Sequence, residues 1–122
     1  MEFVPTNYPV ENEYPKLVRD NIPDIIKART GIDPEQRIAS DDAEFELFLL
    51  KKIVEEAIEL QHSGEHNNLE EEIVDINQLI ETLMRLRGKK AEEIRAIQEE
   101  KRSKNGGFEK RIIMLSKVEK PE

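Results

Sequence analysis

Residues 48–76 read FLLKKIVEEAIELQHSGEHNNLEEEIVDI. Two short carboxylate pairs, Glu56 with Glu59 and Glu72 with Asp75, flank a polar stretch centred between Glu65 and His66. Their spacing is symmetric: Glu56 stands as far before that centre as Asp75 stands after it, and Glu59 matches Glu72 in the same way. If each pair lies on a helix and the helices fold back antiparallel, Glu56 comes level with Asp75 and Glu59 with Glu72. Carboxylates gathered at one height suit a hard divalent cation such as Mg2+, because their charges repel unless cations or protons relieve them.

Helical periodicity tests that expectation. With Ile53 taken as the centre of the first apolar stripe, Leu49, Ala57 and Leu60 fall within about 40° of it and Phe45 about 80° away. Glu56 then lies about 60° off centre, between apolar neighbours, and Glu59 at the stripe's edge near 120°. Glu55 points about 160° away, which predicts a solvent-facing side chain. On the second helix Ile76 is the centre, and Leu69, Ile73, Leu79, Ile80 and Leu83 complete the stripe. Glu72 sits inside it at about 40°, with Asp75 near 100° and Glu71 farther out. Each helix thus carries one acid within its apolar face and one beside it. An ionised carboxylate in that position is costly unless paired or bound to metal, so a plain solvated face does not explain Glu56 and Glu72.

A length of 122 residues predicts one domain, with an extended arm over 1–15, a helical domain over 16–117 and a tail over 118–122. Such a chain is short for an enclosed active site within one subunit, which raises the expectation of an oligomer. A charged fraction of 38% in a Glu-, Lys-, Leu- and Ile-rich chain favours long amphipathic helices. The net charge of −8 argues against nucleic acid or an anionic membrane as the main partner, though not against a small phosphorylated ligand arriving with metal ions. Without cysteine, neither disulfides nor a thiolate zinc site can form. No apolar run reaches the ~18–20 residues of a membrane span, and the N-terminus lacks a signal-peptide pattern, so a cytoplasmic protein is expected.

The helices are expected in order. The arm, with Phe3, Tyr8 and Tyr14, shows no helical period. Asn21 caps a short helix that has Pro23 in its first turn and Gly31 as its stop. Ser40 or Asp41 opens the first long helix, with Glu44 at capping-box spacing from Asp41, and it runs to about Gln61. Asn67 or Asn68 opens the second, which ends at Gly88, and a third spans roughly residues 90–104 before Asn105-Gly106-Gly107. The segment Arg111–Ser116 fits either a strand or a helix. The fold class is all-α, a helical bundle built on the central antiparallel hairpin.

Two basic elements stand outside the hairpin. Lys101 and Lys104 precede Gly106 and Gly107, where glycine backbone can expose N–H groups to phosphate oxygens. The same residues also make an ordinary glycine cap with lysines complementing the helix dipole. Lys16 and Arg19 come just before the Asn21 helix start, which reads equally as a surface turn with Asp20 and Asn21 as caps. His62 and His66 have zinc-compatible i,i+4 spacing, but Gly64 and the loop composition between them argue against a helix there. No P-loop or dinucleotide fingerprint is present.

The blocks KLVRDNIPDII at 16–26, FLLKKIVEEAIEL at 48–60, EEEIVDI at 70–76 and KRSKNGGFEKRI at 101–112 resemble the MazG-like all-α nucleoside triphosphate pyrophosphohydrolases, in particular their small house-cleaning branch. Two positions depart from that pattern: Asn21 stands where Lys or Arg is usual, and Asn105 where Arg commonly precedes the glycines. The resemblance implies hydrolysis of a nucleoside triphosphate between its α and β phosphates, releasing a monophosphate and pyrophosphate. It implies Mg2+, with Mn2+ as a substitute, on Glu56, Glu59, Glu72 and Asp75. Glu59, with Glu56 beside it, would activate the water; Lys101, Lys104, Gly106, Gly107, Lys16 and Arg19 would hold phosphate. A homodimer or homotetramer is implied as well. The alternatives are a phosphoribosyl-ATP pyrophosphohydrolase and a non-catalytic nucleotide-binding or regulatory module.

Overall fold

Every regular element among residues 14–120, which the computed structural model describes, is a helix. The order is α1 (Ile22–Thr30), α2 (Asp42–Gln61), α3 (Ser63–His66), α4 (Leu69–Leu86) and α5 (Ala91–Asn105). The expected arm lies outside the described residues except at its end, where Tyr14 is exposed and the Lys16 ammonium sits 4.9 Å from its ring centre. No helix among the described residues is long and apolar enough to cross a membrane. The chain divides into two compact units, Met1–Gly88 and Lys89–Glu122.

In the first unit the helix ends follow local chemistry. Gly31, at φ 76°, closes α1 by donating its N–H to the Lys27 carbonyl at 2.8 Å. Asp41 caps α2 by accepting the Glu44 N–H at 2.8 Å, while the Glu44 carboxylate accepts from the Ser40 N–H at 3.0 Å. Arg37 clamps Glu44 at 2.5 and 3.1 Å; that bond, with the one from Ser40, holds the Glu44 carboxyl down at about 2. The loop expected after Gln61 contains one helical turn, α3, despite Gly64. Asn67 makes this possible by adopting a left-handed φ of 54° and returning its N–H to Ser63.

α2 packs along α4 in the opposite direction, with α3 in the connection. Two contacts fix the polarity: Arg87, just past α4, grips Glu46 near the start of α2, with Nη2 to Oε2 at 2.7 Å. Glu56 and Glu72 meet toward the other end. Leu49 is the one hydrophobic residue fully buried among those described.

The packed face of α2 is rotated from the expected one. Inward-turned Leu49, Glu56, Lys52 and Glu55 spread from about 40° to about 160° on one side of Ile53, whereas Leu47, Leu50, Val54 and Ala57, on its other side, stay exposed. Glu55, expected in solvent, is only 4% exposed. Pro15, Lys16 and Leu17 lie across this flank and line a crevice with Phe48, Lys52 and Glu55. Periodicity within one helix carries no information about a covering segment so far away in sequence. α4 is arranged alike: Glu72, Asp75 and Leu79 turn inward, and Leu69, Ile73 and Ile80 remain exposed beyond Ile76.

In the second unit α5 ends at Gly106, whose φ of 87° suits glycine and whose N–H donates to Arg102 at 2.8 Å. Arg102 also pairs with Glu109 at 3.0 Å. Arg111–Ser116 forms neither the strand nor the helix its composition allowed.

Candidate metal centre

One turn of α2 and one turn of α4 supply the acids. Glu56, Glu72 and Asp75 each offer a carboxylate oxygen to a trio whose atoms lie within 4.8 Å of one another, and Glu55, Glu56 and Glu59 form a second such trio. Glu56 belongs to both, so the expected four acids meet around it. Glu56 and Glu72 are each 6% exposed. The Oε2 atom of each is buried without a hydrogen-bond partner, a condition that is unfavourable for an ionised carboxylate.

Electrostatics registers the crowding. Burial first, then the Glu56 carboxyl within hydrogen-bond reach and the charges of Glu56 and Asp75, push the Glu72 carboxyl up to about 7. Glu56 is raised too, mainly by burial and by the neighbouring Glu59 charge, against the help of Glu72 and Lys52. The acids therefore hold a proton between them or require a cation.

Three neighbours escaped the sequence reading as parts of this site. Lys52 reaches Glu56 at 3.7 Å and is itself gripped by Glu55. Burial alone would lower the Lys52 ammonium, but the Glu55 bond and the charges of Glu55, Glu56 and Glu59 outweigh it and hold the group above its usual value. Glu55 also accepts from Lys16 at 3.3 Å. Asn68, expected as a helix cap, makes no side-chain cap bond and donates instead to Glu72 Oε1 at 3.0 Å. The i,i+3, i,i+4 and i,i+4 spacings of Lys52–Glu55, Lys52–Glu56 and Asn68–Glu72 were the available signals.

The chain matches no protein-family model, no curated protein and no solved structure. Of the expected phosphate-binding group, Lys16 and Arg19 belong to the acid-bearing unit, and Arg19 bonds Asp75 directly at 2.6 Å. Lys101, Lys104, Gly106 and Gly107 belong to the second unit, at the exposed end of α5. Their local geometry there is that of a glycine cap. His62 lies 3.4 Å from Glu65, and neither His62 nor His66 joins an acid trio among the described residues.

The donor set suits a hard divalent cation. All the candidate ligands are carboxylate oxygens, the preference of Mg2+ and Mn2+, and two of the acids, Glu56 and Glu72, each bury an oxygen without a hydrogen-bond partner.

Proposed function

We propose that this chain is a Mg2+-dependent nucleoside triphosphate pyrophosphohydrolase, cleaving the α–β phosphoanhydride to a nucleoside monophosphate and pyrophosphate. The observation that carries the reading is the pair of buried, unpartnered oxygens on Glu56 and Glu72, two acids that form a trio with Asp75. Carboxylates packed this closely repel one another unless protons or cations relieve them, and a divalent cation held there would suit phosphate chemistry.

Glu56, Glu59, Glu72 and Asp75 would hold Mg2+, or Mn2+ in its place. The bound ion would supply charge neutralisation at phosphate oxygens and a lower barrier to water attack. Glu59 stands outside the Glu56–Glu72–Asp75 trio yet adjoins Glu56 and Glu72, which makes it the acid to orient the water and accept its proton. Water oxygen bonds to phosphorus, the bridging P–O bond breaks, and pyrophosphate leaves with the bond's electron pair. Lys16 and Arg19, which belong to the same unit as the acids, are assigned to phosphate oxygens. The exposed band of Leu47, Leu50, Val54, Leu69, Ile73 and Ile80 supports a homo-oligomer.

Phosphorus NMR of the protein with Mg2+ and a panel of ordinary, deoxy and oxidised nucleoside triphosphates, plus phosphoribosyl-ATP, tests the reading. Monophosphate and pyrophosphate are expected together, and Glu56→Gln should abolish both. Orthophosphate with diphosphate would place the cleavage elsewhere. Mg2+-dependent binding without product from any of these substrates would make the chain a binding module.

A further inference from the structure

Arg19 uses both prongs of its guanidinium on α4. Nη2 donates to Asp75 Oδ1 at 2.6 Å and Nη1 to Gln78 Oε1 at 2.8 Å. Asp75 and Gln78 are three residues apart, so one helix face presents both acceptors. Asp75 also belongs to the trio proposed to bind metal. With an ion bound, one carboxylate would be claimed by two positive charges.

We infer that Arg19 is an exchange residue: its guanidinium holds Asp75 until a divalent cation takes that carboxylate, then passes to the phosphate oxygens of the substrate. This inference rests on the proposed metal centre and adds to it a coupling between metal loading and phosphate capture.

Three features favour exchange over a fixed pair. First, the pair is accessible, with side-chain exposures of 53% for Arg19 and 33% for Asp75, so water competes for both groups and the pairing is weak. Second, the contrast with Lys52 is direct: that ammonium is largely buried and Glu55 anchors it beside Glu56. Third, the Arg19 backbone is fixed, its carbonyl accepting the Ile22 N–H at 3.0 Å as α1 begins, so the side chain can move without loss of its attachment.

The chemistry supplies the direction. A dication on Asp75 would lie within a few ångströms of the guanidinium, and the two would repel. The freed fork matches phosphate oxygens as well as it matched the carboxylate and amide, because its donors diverge in one plane. Arg19 therefore opposes metal binding in the absence of substrate and favours substrate once metal is bound. A purely architectural arginine would support both events.

Two affinities in the full chain separate these roles. Free Mn2+ is measured by electron paramagnetic resonance during titration without any phosphate, and binding of α,β-methylene ATP to the Mg2+-loaded protein is measured by calorimetry. Arg19→Gln should tighten Mn2+ binding by roughly 2- to 5-fold, the scale of an exposed ion pair, and weaken the nucleotide analogue. Asp75→Asn should abolish the Mn2+ effect of Arg19→Gln. Gln78→Ala, which loosens Arg19 without touching a carboxylate, should shift Mn2+ in the same direction and covers the case in which Arg19→Gln fails to fold. Mn2+ binding that weakens or stays unchanged in the folded variants would overturn the exchange and leave the metal centre standing. Absence of Mn2+ binding by the wild-type chain would overturn both.

Discussion

Asn68 gives its side-chain amide to Glu72, one turn along, rather than to the backbone of the helix it precedes. The bond holds Oε1 of Glu72, while Oε2 is buried and unpartnered. The Asn68 carbonyl oxygen is likewise buried without a partner. In the proposed metal centre such a residue would orient a ligand more than it stabilises the fold. Asn68→Ala removes one hydrogen bond and one unsatisfied oxygen, so unfolding free energy should change by less than about 1 kcal/mol. Mn2+ affinity should fall about 10-fold, as for the loss of a group that orients a ligand. Chemical denaturation and metal titration of the same preparation check both; unchanged metal affinity would reduce Asn68 to a loop residue.

Glu72 makes the metal-free protein sensitive to pH. Its carboxyl titrates near 7 in the folded chain, against an ordinary value of 4.5. The folded state therefore retains a proton that the unfolded state has lost between those values, and stability falls as pH rises through that window. Below about 4.5 this contribution is fully present, and above about 7 it is gone. Glu72→Gln, which keeps the burial and removes the charge, should flatten the slope between pH 5 and 7, roughly the interval over which the proton is lost. Thermal unfolding in the presence of a chelator, for both proteins across pH, is the measurement. A wild-type curve that rises through this interval as steeply as the variant's would contradict the assigned shift.

Glu55 separates what one helix reveals from what its surroundings decide. Periodicity aims it at solvent, where removing it would change stability by less than about 0.5 kcal/mol. In the structure it is buried under residues 15–17 and gripped by Lys16 and Lys52. Glu55→Ala removes the nearest carboxylate from two partly buried ammonium groups, and the loss should be about 1–3 kcal/mol, below that of a fully uncompensated charge because Lys52 keeps Glu56 and Lys16 keeps the Tyr14 ring. Urea denaturation distinguishes the two values. A small loss would mean that the contacts of Lys16 and Lys52 with Glu55 contribute little.

The same contrast explains which parts of the molecule could be read in advance. Helix limits were legible where a cap is local: Asp41 before α2, Gly31 after α1 and Gly106 after α5 all act within a few residues. The juxtaposition of Glu56, Glu72 and Asp75 was legible because a symmetric spacing across a turn is a property of numbering alone. α3 was missed because a left-handed asparagine, not glycine, closes it. The rotation of the α2 face was missed because this helix has apolar residues on two sides. Counting them together drew the apparent centre to Ile53, between the packed flank and the exposed one.

Leu47, Leu50 and Val54 on α2 and Leu69, Ile73 and Ile80 on α4 all lie to the same rotational side of their packed faces. In an antiparallel pair, rotation in the same sense turns both bands toward one side of the hairpin, the α2 band lying farther round toward the back of its helix, away from the flank that carries Lys52 and Glu55. Six large apolar side chains turned toward one side suit an interface. A second copy of this chain would cover them with an identical band, giving a two-fold interface. Val54→Lys places a charge at the band's middle and should dissociate the oligomer, while α2 keeps its contacts with α4 and helicity is preserved. Light scattering after gel filtration reads the mass directly. A wild-type chain that runs as a monomer at micromolar concentration would assign the band to a different partner.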